Sequence, residues 1–199
     1  MKKLSILLLS VLSFSFNAKA EKIKLIIDAA HGGKDAGAKA ANGETESQLC
    51  LAFAEALQEH AAKNNIEVVM VRTADEYVSL EQRNTYKPEP GVKSYFVSFH
   101  MNSENTHSAR GAQIIYYSKS PQAGASRRVA EKLVNGFNMI NDIGTTLSDK
   151  GSALVIKNSE IPAVIIEPGY ISNEQDLRKL KDKGIQQEVA MLVVKAVTE

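Results

Sequence analysis

The sequence predicts a single α/β domain built on a mostly parallel, twisted sheet of about six strands flanked by helices. Strand and helix signals alternate from residue 22 to the C-terminus. No repeat, low-complexity stretch or Pro/Ser-rich linker divides the chain after residue 20. The 179 residues left once residues 1–20 are removed from the 199 suit one core.

The elements follow in order. "KIKLIID" (22–28) is an apolar first strand, and "SQLCLAFAEALQEHAAKN" (47–64) is an amphipathic helix with Leu49, Phe53, Ala56 and Leu57 on one face. "IEVVMVR" (66–72) is a buried strand rich in β-branched residues. Ser79 followed by Gln82 is a capping-box pattern opening a short helix that Pro88 and Pro90 end. "SYFVSFH" (94–100) and "GAQIIYYS" (111–118) read as strands. Ser120-Pro121 reads as an N-cap and first helical position, leading into a helix with Val129, Leu133 and Phe137 at i, i+4, i+8. "ALVIKN" (153–158) and "PAVIIEPG" (162–169) are expected as two further strands, and two helices, "NEQDLRKLKD" and "GIQQEVAMLVVKAVT", close the domain.

Residues 1–20 have the form of a signal peptide. Lys2 and Lys3 precede an apolar run from Leu4 to Phe16, and Ala18-Lys19-Ala20 supplies a cleavage pattern. The run is shorter than the roughly 20 residues a bilayer span requires, so an exported protein without a membrane anchor after cleavage is expected. The chain's 24 basic residues include three in this leader and its 23 acids none, leaving 21 against 23 and a formal charge of −2. That balance gives no electrostatic reason to expect nucleic acid as a partner. Cys50 is the only cysteine, so no internal disulfide can form, and its place in an apolar helical pattern marks it as a small buried residue.

The candidate chemistry lies at strand ends. His31, His100 and Glu167 fall at or just after the C-terminal ends of predicted strands, the edge where open α/β sheets bind ligands. "HGGKDAG" has neither the G-x-x-x-x-G-K-[ST] nor the G-x-G-x-x-G spacing, which argues against a phosphate loop. His60, late in a helix, and His107, in a polar stretch, read as surface residues. A metal site would need a third ligand, with nitrogen and carboxylate donors suiting zinc. Glu46 and Glu44 both stand near the start of the first helix, and spacing does not choose between them. Glu167 is an ionisable group within "AVIIEPGY", where burial demands an offsetting partner or a function.

Six blocks in order then resemble the zinc-dependent N-acetylmuramoyl-L-alanine amidases of the type-3 family across the chain after the leader. "IIDAAHGGKDAGA" resembles D-P-G-H-G-G-x-D-x-G-A, "NGETESQLCLAFAEAL" the N-G-x-x-E helix start, and "VMVRTADEYVSLEQRN" the T-R-x-x-D-x-x-x-x-L-x-x-R segment. "YFVSFHMNS", "ARGAQIIYYS" and "IPAVIIEPGYISNEQDLRKL" are similar to F-x-S-I-H-x-N-S, the R-G strand and P-x-x-L-x-E-x-G-F-x-S-N-x-x-D. Ala29-Ala30 replaces Pro-Gly before the histidine, and Pro168 stands where a leucine is common.

The resemblance implies a zinc-exopeptidase-like fold and a catalytic domain over 21–199. It places Zn²⁺ on His31, Glu46 and His100, with Glu167 as the catalytic base, and thereby selects Glu46 over Glu44. The implied substrate is peptidoglycan, cleaved at the amide between the lactyl group of N-acetylmuramic acid and L-Ala, in the periplasm or cell envelope. A monomer is expected. The length between Arg110 and Glu167 is filled by one strand, one helix and two strands, so no inserted autoinhibitory helix and an open site are expected.

Overall fold

The computed structural model describes residues 22–140, 144–151 and 153–199, so the predicted leader lies outside the described residues. The elements run β1 (Lys22–Ala29), α1 (Glu46–Lys63), β2 (Glu67–Met70), α2 (Leu80–Arg83), β3 (Val92–Phe99), β4 (Gln113–Tyr116), α3 (Ala123–Ile140), β5 (Thr146–Asp149), α4 (Leu154–Lys157), β6 (Ala163–Glu167), α5 (Glu174–Leu180) and α6 (Lys183–Thr198). They form one α/β domain on a six-stranded sheet of order β2-β1-β3-β6-β4-β5.

Strands β2, β1, β3 and β6 are parallel, with Asp28 beside Ser98 and Phe99 beside Ile166. β4 runs antiparallel to β6, setting Gln113 opposite Glu167, and β5 runs parallel to β4. Because side chains alternate along a strand, one face carries Leu25, Ile27, Val97, Phe99, Val164 and Ile166, which pack with α1, α3 and α6 in the main core. The other face carries Ile26, Phe96, Ile115 and Ile165, packed with Val155 and Ile156 of α4 in a smaller core. The face with the smaller core is the one that opens into the site.

Two elements differ from the sequence reading. The stretch predicted as a strand over 153–158 is instead the one-turn helix α4, started by Ala153 N donating to Lys150 O (3.2 Å) and Ile156 N donating to Ala153 O (3.2 Å). Its run of apolar residues buries Val155 and Ile156 and leaves Leu154 exposed. The sixth strand is β5, whose "TLSD" is largely exposed and carries no apolar signal. It pairs with β4 alone, and main-chain hydrogen bonds rather than side-chain burial define it. A smaller difference is that α3 opens at Ala123, two residues beyond the Pro121 start, after a turn in which Ala123 N donates to Ser120 O (3.1 Å).

Candidate metal centre

β1 and β3 end side by side, tied by Ala30 N donating to Phe99 O (3.2 Å), and His100 N donates to Ile166 O (3.0 Å) at the end of β6. His31 and His100 therefore leave the same sheet edge. Their rings lie 5.2 Å apart at 82°, edge to face. Glu46 arrives from the opposite direction as the first residue of α1, where Thr45 Oγ1 accepts from Gln48 N (3.3 Å) and Gln48 Oε1 accepts from Thr45 N (3.1 Å). This capping box fixes where the helix begins, and so where the carboxylate points.

Glu46 Oε1 lies 3.1 Å from His31 Nε2 and 3.1 Å from His100 Nδ1, and accepts from Met101 N (3.0 Å). Its Oε2 accepts from Ala38 N (2.9 Å). One donor atom from each of His31, Glu46 and His100 falls within 4.8 Å of the others. Two imidazole nitrogens and a carboxylate oxygen, carried on three separate elements and open to a cavity, suit zinc with a free coordination position. Glu44 faces away and pairs with Lys181 (2.7 Å). His60 lies in the last turn of α1, and His107 Nδ1 bonds Ser172 O (2.9 Å) in a surface loop.

Burial alone would raise the Glu46 carboxyl and lower the His31 ring. The hydrogen bonds to His100 and His31 instead hold Glu46 well below the ordinary carboxylate range, while Glu46 and Asp35 hold His31 above its usual value. Asp35 Oδ2 lies 2.9 Å from His31 Nδ1, the nitrogen that faces away from Glu46. A carboxylate there fixes the ring's orientation and increases its basicity as a ligand.

Glu167 behaves in the opposite way. Burial pushes its carboxyl up, only partly offset by the charges of Lys150 and His100, and Glu46 adds to the rise. Its Oε2 is buried and accepts no hydrogen bond. A carboxylate short of partners, with its protonated form favoured by burial and His100 nearby, has the character of a proton acceptor.

Two buried arginines frame the loop that carries His31. Arg72 donates to the carbonyls of Ala29 (2.8 Å), Ala30 (3.0 Å), Ser47 (2.7 Å) and Ala74 (2.8 Å). Arg83 donates to Asp28 Oδ1 (2.7 Å), Ala29 O (2.9 Å) and His31 O (2.7 Å). Asp28 is wholly buried and also accepts from Ser98 Oγ (2.6 Å). Nothing in residue order marks Arg72 or Arg83, because most of their partners lie 25 to 55 residues away along the chain. Asp35 was legible only as an acid four residues after a histidine.

A cavity of about 360 Å³ opens beside the histidines, with Tyr77, Val78, Leu80, Leu154, Val155 and Ile165 among its walls. α4 forms one wall without covering the rings, since the His31 and His100 side chains keep 23% and 27% of their exposure. Cys50 lies buried in α1, its thiol pushed up by burial.

A profile of the family described as N-acetylmuramoyl-L-alanine amidase matches residues 25–199. The amidase CwlM of Bacillus licheniformis is 32% identical over 171 residues, covering 84% of this chain, which in turn spans 64% of that protein. The uncharacterized protein YqiI of Bacillus subtilis (strain 168) is 33% identical over 175 residues, covering 86% of this chain and 81% of its own. The crystal structure of an N-acetylmuramoyl-L-alanine amidase from Clostridium difficile 630 superposes with a TM-score of 0.77 at 27% identity, covering 89% of this chain and 96% of that one.

Proposed function

Because the chain belongs to the N-acetylmuramoyl-L-alanine amidase family, we propose that it hydrolyses the amide between the lactyl group of N-acetylmuramic acid and L-Ala of the peptidoglycan stem. His31, Glu46 and His100 are the zinc ligands in this reading, and Glu167 is its base. The observation that carries it is the convergence of those three donors near a half-buried carboxylate whose buried Oε2 has no partner.

His31, Glu46 and His100 would hold a zinc ion, which when bound would supply a Lewis acid for the carbonyl oxygen and a water of lowered pKa. Glu167 takes a proton from the attacking water as it adds to the carbonyl carbon. It returns that proton to the stem nitrogen as the C–N bond breaks, and the new carboxyl's proton passes to the amine, leaving a lactyl carboxylate and a free alanyl ammonium. Asp35 holds the His31 ring through Nδ1, and Arg72 and Arg83 hold the main chain that carries it. Much of the cavity wall beside the site is apolar, from Val78, Leu80, Leu154 and Val155.

The leader-like residues 1–20 and a substrate outside the inner membrane together support export to the periplasm or envelope. Among the described residues no helix is long and apolar enough to cross a membrane.

Digestion of purified peptidoglycan tests the reaction. Zinc-loaded protein is expected to release intact stem peptides from unshortened glycan. Absence of release points to a binding module, and release of single terminal amino acids to a carboxypeptidase. Glu167→Ala is expected to retain zinc while losing about 10²- to 10⁴-fold in turnover, whereas His100→Ala loses both zinc and turnover. Full zinc retention by His100→Ala in metal analysis would remove it from the ligand set.

A further inference from the structure

We propose that Lys34 and Tyr77, at the rim of the cavity beside the candidate metal centre, form a carboxylate subsite that favours muramyl peptides with a free α-carboxylate on the second stem residue. The inference rests on the substrate reading above and extends it to the residue beyond the scissile amide.

Lys34 lies in the segment "HGGKDAG", whose glycines and lysine have no phosphate-loop spacing and whose lysine the reaction leaves unused. The segment is a tight turn closed by Gly32 N donating to Asp35 O (2.7 Å) and Asp35 N donating to Gly32 O (3.1 Å). It packs main chain against main chain on the segment of Tyr77. A Cβ on Gly32 would lie 2.2 Å from Glu76 O, and one on Gly33 would lie 2.8 Å from Tyr77 N. Asp75 Oδ1 accepts from Gly33 N (2.8 Å) and pins the same junction. Lys34 at the turn's apex is therefore fixed relative to Tyr77, and its Nζ stands 4.3 Å from the centre of the Tyr77 ring.

The charges nearby leave this ammonium available. Asp35 is engaged by His31 and by Gly37 N (3.1 Å), and Asp75 by Gly33 N. Arg83, which lines the cavity, is consumed by Asp28 and the carbonyls of Ala29, His31 and Val78. Among the described residues Lys34 has no carboxylate partner. Tyr77, about half exposed, lines the same cavity as His31 and His100, so the ring carries the ammonium at a rim continuous with the reaction centre.

The remaining wall is apolar, from Val78, Leu80, Leu154 and Val155. It suits an alanyl methyl and a peptide stem but offers no counter-charge to an anion. An extended peptide advances at most about 3.6 Å per residue, which puts the second residue about 7 Å beyond the amide. Lys34 stands three residues after His31 and over a ring that lines the cavity, so the carboxylate of the second residue is the anion assigned to it, with the aromatic face orienting the ammonium and the pair open to solvent screening.

The test compares two muramyl dipeptides that differ only in carrying the α-carboxylate or its amide at the second residue. The native protein is expected to favour the acid about fivefold in kcat/KM, mostly through KM, with the ratio falling as salt rises. Lys34→Met is expected to bring the ratio near one, and Lys34→Glu to invert it. A native ratio of one, or a ratio unchanged in Lys34→Met, overturns the subsite. Binding of both dipeptides to zinc-loaded Glu167→Gln protein reads the rim whether or not the amide is cut. Equal Kd values there overturn the subsite, while a carboxylate preference without cleavage by native protein sustains it and overturns the reaction.

Discussion

Gly37 sits with φ +64° where the two sides of the candidate metal centre meet, and a Cβ there would lie 2.7 Å from Glu46 Oε2 and 2.8 Å from His31 Cδ2. Both the left-handed backbone and the missing side chain are needed at this position. Gly37→Ala is expected to push the carboxylate and the imidazole apart and to weaken zinc binding about tenfold or more, read by competition with a chromophoric chelator. Native affinity in that variant would show that the two ligands have slack. His31 is itself left-handed at φ 59°, which is unfavourable for a residue bearing a side chain. Arg83 bonding its carbonyl at 2.7 Å helps fix that conformation. None of this can be read from residue order. The histidines and Glu167 stand out because they interrupt apolar strand ends, whereas a glycine's role depends on which atoms approach it in space.

At the level of elements, the buried Asp28–Arg83 pair couples the end of β1 to α2 (2.7 Å), with Ser98 of β3 completing the carboxylate's partners. Removing one member strands a buried charge, so Arg83→Met is expected to cost about 3–5 kcal/mol in denaturant unfolding. Adding Asp28→Asn to that variant is expected to recover part of the loss, and a strictly additive second loss would mean that the two groups are not coupled. The strands that carry the site were legible because each is a continuous buried run: Leu25, Ile26 and Ile27 in β1, Phe96, Val97 and Phe99 in β3. The far edge was not. "ALVIKN" has the composition of a buried strand, yet Val155 and Ile156 reach the smaller core from a single helical turn. β5 is held by pairing with β4 at an exposed edge, where side-chain hydrophobicity gives no signal. The antiparallel direction of β4 depends equally on pairing partners, and it is what brings Gln113 opposite Glu167.

For the molecule as a whole, the site sets function against stability. Burial raises the Glu167 carboxyl, and the charged groups acting on it are Lys150, His100 and Glu46. The folded state therefore prefers the protonated acid more strongly than the unfolded chain does. The stability this contributes is fully present below the ordinary carboxylate pKa, and is lost as pH rises through the raised folded value. Once this carboxyl is ionised, the metal-free protein holds a half-buried charge whose Oε2 has no hydrogen-bond partner. Glu167→Gln removes that charge in a side chain of nearly the same shape. In chelator, at about pH 7, it is expected to be more stable than the native chain by about 1 kcal/mol. For a domain of this size that is a rise of roughly 2–4 °C in Tm. The gain should vanish near pH 4, where the native carboxyl is protonated as well. Excess zinc should raise both proteins further, by about 2.7 kcal/mol at a hundredfold excess over Kd, since the three donors bridge the ends of β1 and β3 to the start of α1. Paired thermal melts of the two proteins at both pH values, with and without zinc, separate the effects. A Glu167→Gln gain of equal size at both pH values would assign the difference to packing rather than to charge.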